Sequence, residues 1–244
     1  MRLIRHYLDL PLAVGGRVAL PESVVAHLVR VLRLGVGDEF ALFNGDGADY
    51  HARLISVGKR TAQADVLERR ALDNESALQI TLAQGIARGE KMDLILQKAT
   101  ELGVARIAPL LTERTEVRLE PERVAKKMQH WRGVLAAACE QCGRAKLPQL
   151  LEPQALASFA AADSSSRRFT LDPHEGIALS AAALGAQDSV TVLIGPEGGL
   201  SERDLAALRA ARFEGLQLGP RILRTETAGL AALAGLNALY GDWR

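Results

Sequence analysis

The chain has 244 residues, 48% of them hydrophobic and 24% charged, with a formal net charge of +1. This balance allows a substantial buried core and excludes both a disordered chain and a surface coated in nucleic-acid-binding charge. No apolar run approaches the roughly 20 residues that span a bilayer. The opening Met1-Arg2-Leu3-Ile4-Arg5-His6 lacks the apolar stretch of a signal peptide, so the expectation is a cytoplasmic protein with no membrane partner.

Taken in chain order, the first 70 or so residues read as mostly β. Alternating or apolar runs predict strands at Arg17–Leu20, Glu39–Phe43, Tyr50–Val57 and Thr61–Leu67. Asn44-Gly45-Asp46-Gly47 is a hairpin signal, because Asn and Gly tolerate positive φ. One helix is expected from Glu22 to about Leu32, with Val24, Val25, Leu28, Val31 and Leu32 on its apolar side. Short strands joined by turns, with one helix, suggest a small barrel.

The pattern pauses at Leu72-Asp73-Asn74-Glu75-Ser76 and then changes, which places a boundary between domains 1–72 and 73–244. Strand Leu78–Gln84, helix Lys91–Leu102 and strand Arg106–Leu111 come next, followed by a long helix from Pro121 to Cys142. Proline suits a helix start, where the first N–H has no partner. Cys139 and Cys142 share a helix face; with no second pair and five scattered histidines, the reading is two small buried thiols and no metal. Ala160–Arg168 is of low complexity and is expected to be an exposed loop. Strands Phe169–Leu171, Val190–Ile194 and Leu216–Leu218 come after it, with helices starting near Ser201 and Thr225 after the last two. Ser201 and Asp204 have the spacing of a capping box. Alternating strands and helices predict an α/β domain with a mainly parallel sheet and a ligand at the carboxyl ends of its strands.

Two segments leave such strand ends. Ile194-Gly195-Pro196-Glu197-Gly198-Gly199-Leu200-Ser201 is a tight loop whose backbone can approach a ligand. It lacks the lysine of a phosphate loop, and no G-x-G-x-x-G fingerprint occurs. Leu218-Gly219-Pro220-Arg221-Ile222-Leu223-Arg224-Thr225-Glu226-Thr227 carries two arginines into a helix. A net basic stretch between residues 88 and 146, including Arg114, Arg118, Arg123, Lys126 and Lys127, is weak support for an RNA partner.

Together these two loops resemble those of the RsmE family, small-subunit rRNA uracil-N3 methyltransferases of the SPOUT superfamily. The likeness extends to Arg30-Val31-Leu32-Arg33-Leu34, Gly37-Asp38, Arg88-Gly89-Glu90-Lys91-Met92-Asp93, Gln97–Val104 and Glu140–Arg144. The resemblance implies a small PUA-like β-barrel followed by a SPOUT-type parallel sheet whose carboxyl end is threaded into a trefoil knot. It also implies S-adenosyl-L-methionine as cofactor, 16S rRNA or the small ribosomal subunit as substrate, and a homodimer. The apolar terminal helix around Ala228–Leu236 fits burial against a partner or within its own core. On this likeness, Leu171, Ile194, Gly195, Gly199, Leu218, Gly219, Leu223 and Thr227 are expected at the cofactor, with Pro173 beside Leu171 as a further wall. Arg5, Arg30, Arg33 and Arg88 are expected at RNA phosphates. Arg224, or Arg221, is assigned to charge stabilisation or substrate-phosphate binding, since arginine stays protonated. The general base is left open; Glu197 and Glu226 lie in the right segments but could equally brace a loop or cap a helix. Two other readings stay open: a related methyltransferase of another RNA such as tRNA, and a non-catalytic RNA-binding assembly factor.

Overall fold

A computed structural model describes residues 4–117, 120–172, 176–185 and 187–243. Arg118 of the basic stretch and Pro173 at a predicted strand end lie outside the described residues. The chain divides into two units, Met1–Glu75 with Ala136–Leu147, and Ser76–Leu135 with Pro148–Arg244.

In the first unit, β1 (Arg5–Tyr7), β2 (Arg17–Leu20), β3 (Glu39–Phe43), β4 (Ala48–Val57) and β5 (Ala62–Ala71) form one sheet in the order β1-β3-β4-β5-β2. The predicted hairpin at Asn44–Gly47 joins β3 to β4, with positive φ at Gly45 and Gly47. β1 pairs in parallel with β3, a strand of three residues that periodicity could not announce. Among the described residues β1 and β2 do not pair with each other, so the sheet is a half-barrel and not the closed barrel expected.

The expected helix begins at α1 (Glu22–Val25) but continues as a π-helix over Ala26–Val31, where Leu32 N–H donates to the His27 carbonyl. The wider turn takes an extra residue and rotates the side chains beyond it. Val24, Val25 and Leu28 are buried as predicted, whereas Val31 is 68% exposed and Leu32 is also turned to solvent. Arg33, at φ +61°, ends the helix, so Arg30 and Arg33 do not share a regular helical face; both are exposed.

Arg5 is also used differently from the expectation. Its side chain is only 6% exposed and donates to Asp49 through Nε and Nη2 at 2.9 and 2.7 Å. It further donates to the carbonyls of Cys139 and Arg144 at 2.7 and 3.0 Å and lies 4.5 Å from the Phe43 ring centroid. With every part of the guanidinium spent inside this unit, Arg5 is a structural cation and not a free phosphate contact. Cys139 is buried and Cys142 half-buried. The hydrogen bond with Cys142, together with burial, pushes the Cys139 thiol far above its ordinary range, which makes it unreactive at neutral pH.

The second unit is an eight-stranded parallel sheet. Its strands are β6 (Gln79–Gly85), β7 (Arg106–Leu111), β8 (Gln149–Leu150), β9 (Gln154–Ala155), β10 (Arg167–Leu171), β11 (Ile177–Ala178), β12 (Ser189–Ile194) and β13 (Glu214–Gln217). Their order is β11-β13-β10-β12-β6-β7-β8, with β9 also pairing β7. The helices are α2 (Glu90–Glu101), α3 (Pro121–Cys142, of which the part from Ala136 belongs to the first unit), α4 (Leu156–Ala162), α5 (Glu202–Ala210) and α6 (Thr225–Tyr240). The alternation predicted from the sequence is therefore present. The predicted exposed loop at Ala160–Arg168 is shorter, covering 163–166 with Ser164 and Ser166 exposed: Ala160 is buried in α4, Ser165 is buried against Thr191 at 2.8 Å, and β10 starts at Arg167. Ser201 and Asp204 form the expected capping box at α5.

Leu82, Ile107, Phe169, Val192 and Leu216 build the core on the sheet, and Ala232, Leu233 and Leu236 of α6 pack into it. Asn237 closes that helix inside the core, donating to the Leu102 carbonyl at 2.6 Å. No described helix is long and apolar enough to cross a membrane.

The internal role of Arg5 is directly measurable. Arg5→Met would strand Asp49 and two carbonyls, and should lower unfolding free energy in urea by about 3 kcal/mol, as expected for breaking a buried ion pair. An effect within about 0.5 kcal/mol, typical of an exposed site, would return Arg5 to the surface.

Candidate active site

Three adjacent strands, β13, β10 and β12, end at one cavity. The register sets Leu171 opposite Leu216 and Thr170 opposite Leu193, so Leu171, Leu216 and Ile194 reach the carboxyl edge together. The cavity measures about 640 Å³. Its walls are the 194–200 segment after β12, residues 218–224 after β13, Leu171 and Asp172 after β10, and the first turn of α6; Leu205 and Lys91 complete it. Leu171, Ile194, Leu200, Leu216, Leu218 and Leu223 make the lining mainly apolar, as ligand pockets in α/β sheets usually are.

Local chemistry fixes both loops. Gly85 at the end of β6 lies so close to Pro196 that a Cβ there would sit 2.5 Å from the proline nitrogen, so only glycine fits. Gly199, at φ +71°, returns its N–H to the Pro196 carbonyl at 2.9 Å. From outside the loop, Arg114 donates to the Gly198 carbonyl at 3.1 Å. The Thr225 hydroxyl donates to the Gly195 carbonyl at 2.6 Å and accepts from the Gln84 amide at 2.9 Å. It thereby ties the start of α6 to the Gly195 loop.

The lining also carries charge. Lys91, in the first turn of α2, places Nζ 3.3 Å from Glu197 and 3.6 Å from Glu226. Burial pushes the Glu197 carboxyl up, but its own backbone N–H, that of Arg88 at 3.1 Å and the Lys91 ammonium outweigh it. The net effect holds Glu197 below the usual carboxylate range, so it is ionised at neutral pH and braces the loop. Arg221 and Arg224 both line the cavity and are exposed, and among the described residues neither forms an ion pair.

Of the residues singled out for a cofactor, the structure brings together Leu171, Ile194, Gly195, Gly199, Leu218, Gly219 and Leu223. Thr227 is exposed and does not line the cavity; Thr225, two residues earlier, does. On a helix two residues turn a side chain by about 200°, which carries Thr227 to the far face. Lys91 and Gln84 are not recognisable as site residues in the sequence, because each reaches the loops only through tertiary folding; Thr225 stands in the second loop's own motif, where the sequence reading favours Thr227 instead. Arg88 lies at the same loop, where its backbone N–H holds Glu197 and its side chain pairs with Glu116. Arg30 and Arg33 belong to the first unit.

Residues 74–237 match the family model for an RNA methyltransferase domain, and residues 20–67 match that for an RNA methyltransferase PUA domain. The chain is 30% identical to ribosomal RNA small subunit methyltransferase E of Buchnera aphidicola, over 99% of this chain and 98% of that protein. A methyltransferase of Legionella pneumophila, solved with the cofactor SAM bound, superposes with a TM-score of 0.95 at 37% identity, covering 99% of this chain and 100% of that one. Ribosomal RNA small subunit methyltransferase E of Neisseria gonorrhoeae, bound to S-adenosyl methionine, gives 0.91 at 36% identity with full coverage of both. A half-barrel preceding a parallel sheet, two glycine–proline loops at one cavity and these likenesses over the full length establish that the chain belongs to the RsmE family of RNA methyltransferases.

Proposed function

We propose that this protein methylates N3 of a specific uridine in the 16S RNA of the small ribosomal subunit, using S-adenosyl-L-methionine, and that it works in the cytoplasm. The observation that carries the reading is the cavity at three strand ends, walled by the two loops that the family likeness singles out. Solved relatives at 36–37% identity hold this cofactor. The residues present fit it. Apolar Leu171, Leu218 and Leu223 offer surface for an adenosine ring, and glycine walls let the ligand meet backbone. A Cβ on Gly195 would come within 3.2 Å of Gly199 and Leu200, so a side chain there would crowd the loop. When bound, the cofactor supplies a methyl group carried on a sulfonium.

The chain's own residues then have distinct tasks. A uracil N3 must lose its proton to become nucleophilic, which spreads negative charge onto the ring oxygens. Arg224, or Arg221, lines the cavity and stabilises that charge. Neither can be the base, since arginine stays protonated. The loops hold the reacting groups in line, which accounts for much of the acceleration in such transfers.

In the same reading, residues 1–72 serve RNA binding and residues 73–244 catalysis. Arg30, Arg33 and Arg88 are the phosphate contacts retained, with Arg88 exchanging its Glu116 partner for phosphate. A trefoil knot is supported by the strand order: β13 is hydrogen-bonded between β10 and β11, so the chain after β12 re-enters beside an earlier segment before α6 begins. Unknotted connections are the general rule, which makes this threading a family-specific feature. A homodimer belongs to the same reading, on the family likeness and the apolar composition of α6. Leu233 is fully buried in its own core, so any partner surface uses other residues of α6.

Gly199→Val forces a β-branched residue into positive φ at the loop. Calorimetry should show S-adenosylmethionine binding lost while the thermal unfolding midpoint stays within a few degrees; undiminished affinity would remove this loop from the cofactor site. Arg224→Ala should reduce saturated single-turnover rates by roughly a hundredfold, with cofactor affinity unchanged. A wild-type rate at saturating RNA, accompanied by weaker RNA binding and a flatter salt dependence, would instead make Arg224 a phosphate contact.

A further inference from the structure

Glu226 is a carboxylate at the cavity wall with an acceptor left over. It lies in the first turn of α6 and its side chain is 16% exposed. Its Oε2 is withdrawn from water and, among the described residues, accepts no hydrogen bond. Lys91 Nζ is 3.6 Å from it, beyond hydrogen-bond length. A buried acceptor without a donor is costly and uncommon in native proteins, and it leaves this carboxylate at the cavity wall incompletely engaged by the protein. Glu197, the other glutamate on this wall, is in the opposite condition: the Arg88 N–H and the Lys91 ammonium occupy it. Of these two carboxylates, Glu226 is the less engaged.

Building on the uridine-N3 reading above, we propose that Glu226 is the general base of the transfer. The proton passes from N3 to a carboxylate oxygen of Glu226. The N3 electron pair forms the bond to the methyl carbon as the carbon–sulfur bond breaks, its pair remaining on sulfur. Glu226 then releases the proton to solvent, and charge balances. Lys91 is a positioning residue, held between the two glutamates and keeping the Glu226 carboxylate at the wall.

The test measures single-turnover methylation of 16S rRNA at saturating RNA and cofactor, from neutral to alkaline pH, for wild type, Glu226→Gln and Glu226→Asp. The Gln variant should be slower at neutral pH by about 10²–10⁴-fold, the span of general-base contributions. Its rate should climb about tenfold per pH unit as uracil ionises unaided, while wild type stays level. The Asp variant, which keeps a base at greater distance, should be slower than wild type but equally level. Calorimetric affinity for S-adenosylmethionine should match wild type in both variants. A Gln variant whose pH profile parallels wild type would overturn the assignment, and so would a loss of cofactor affinity, which would make Glu226 a cofactor contact. Wild-type enzyme that yields no N3-methyluridine would overturn the underlying reading, and the base with it.

Discussion

Thr225 donates to the Gly195 carbonyl and accepts from Gln84, and this buried hydroxyl is where the two glycine–proline loops are joined. Gln84 belongs to β6, Gly195 comes directly after β12, and Thr225 opens α6, so one side chain registers two strands and a helix against each other. The close approach of Gly85 to Pro196 reinforces the joint from the backbone. A site meant to hold reacting groups in line needs such support, because small misplacements cost large factors in rate.

The electrostatics depend on that frame. Lys91 stands between two glutamates and serves them unequally, occupying Glu197 while leaving Glu226 short of a hydrogen bond. Arg221 and Arg224 are exposed on the same cavity. The cavity lining thus carries an engaged carboxylate, a less engaged one and two guanidinium groups. That asymmetry suits a reaction that removes a proton and must stabilise the anion left behind.

Much of the second unit is legible in the sequence because its signals are local. Strand–helix alternation, the Ser201–Asp204 capping box and the two loops each sit within a few consecutive residues. The three-residue β1 and the two-residue β8, β9 and β11 are too short for any period to register. The π-helix puts Val31 and Leu32 on the solvent side, because an apolar stripe is read with a period that the wider turn breaks. Arg5 has the sequence appearance of a surface cation; its burial depends on Asp49 and on carbonyls more than a hundred residues away. In the site, Thr225 and Thr227 stand in the same motif, and only the helix start decides that Thr225 is the one facing inward.

The central claim is that the cavity serves methylation of one uridine in small-subunit RNA. Nucleoside mapping by mass spectrometry of 16S rRNA, from a strain lacking this gene and the same strain complemented, tests it most directly. The account predicts that N3-methyluridine disappears from a single position on deletion and returns on complementation. An unchanged 16S pattern, with a methylated nucleoside lost from tRNA or from no RNA, would contradict it.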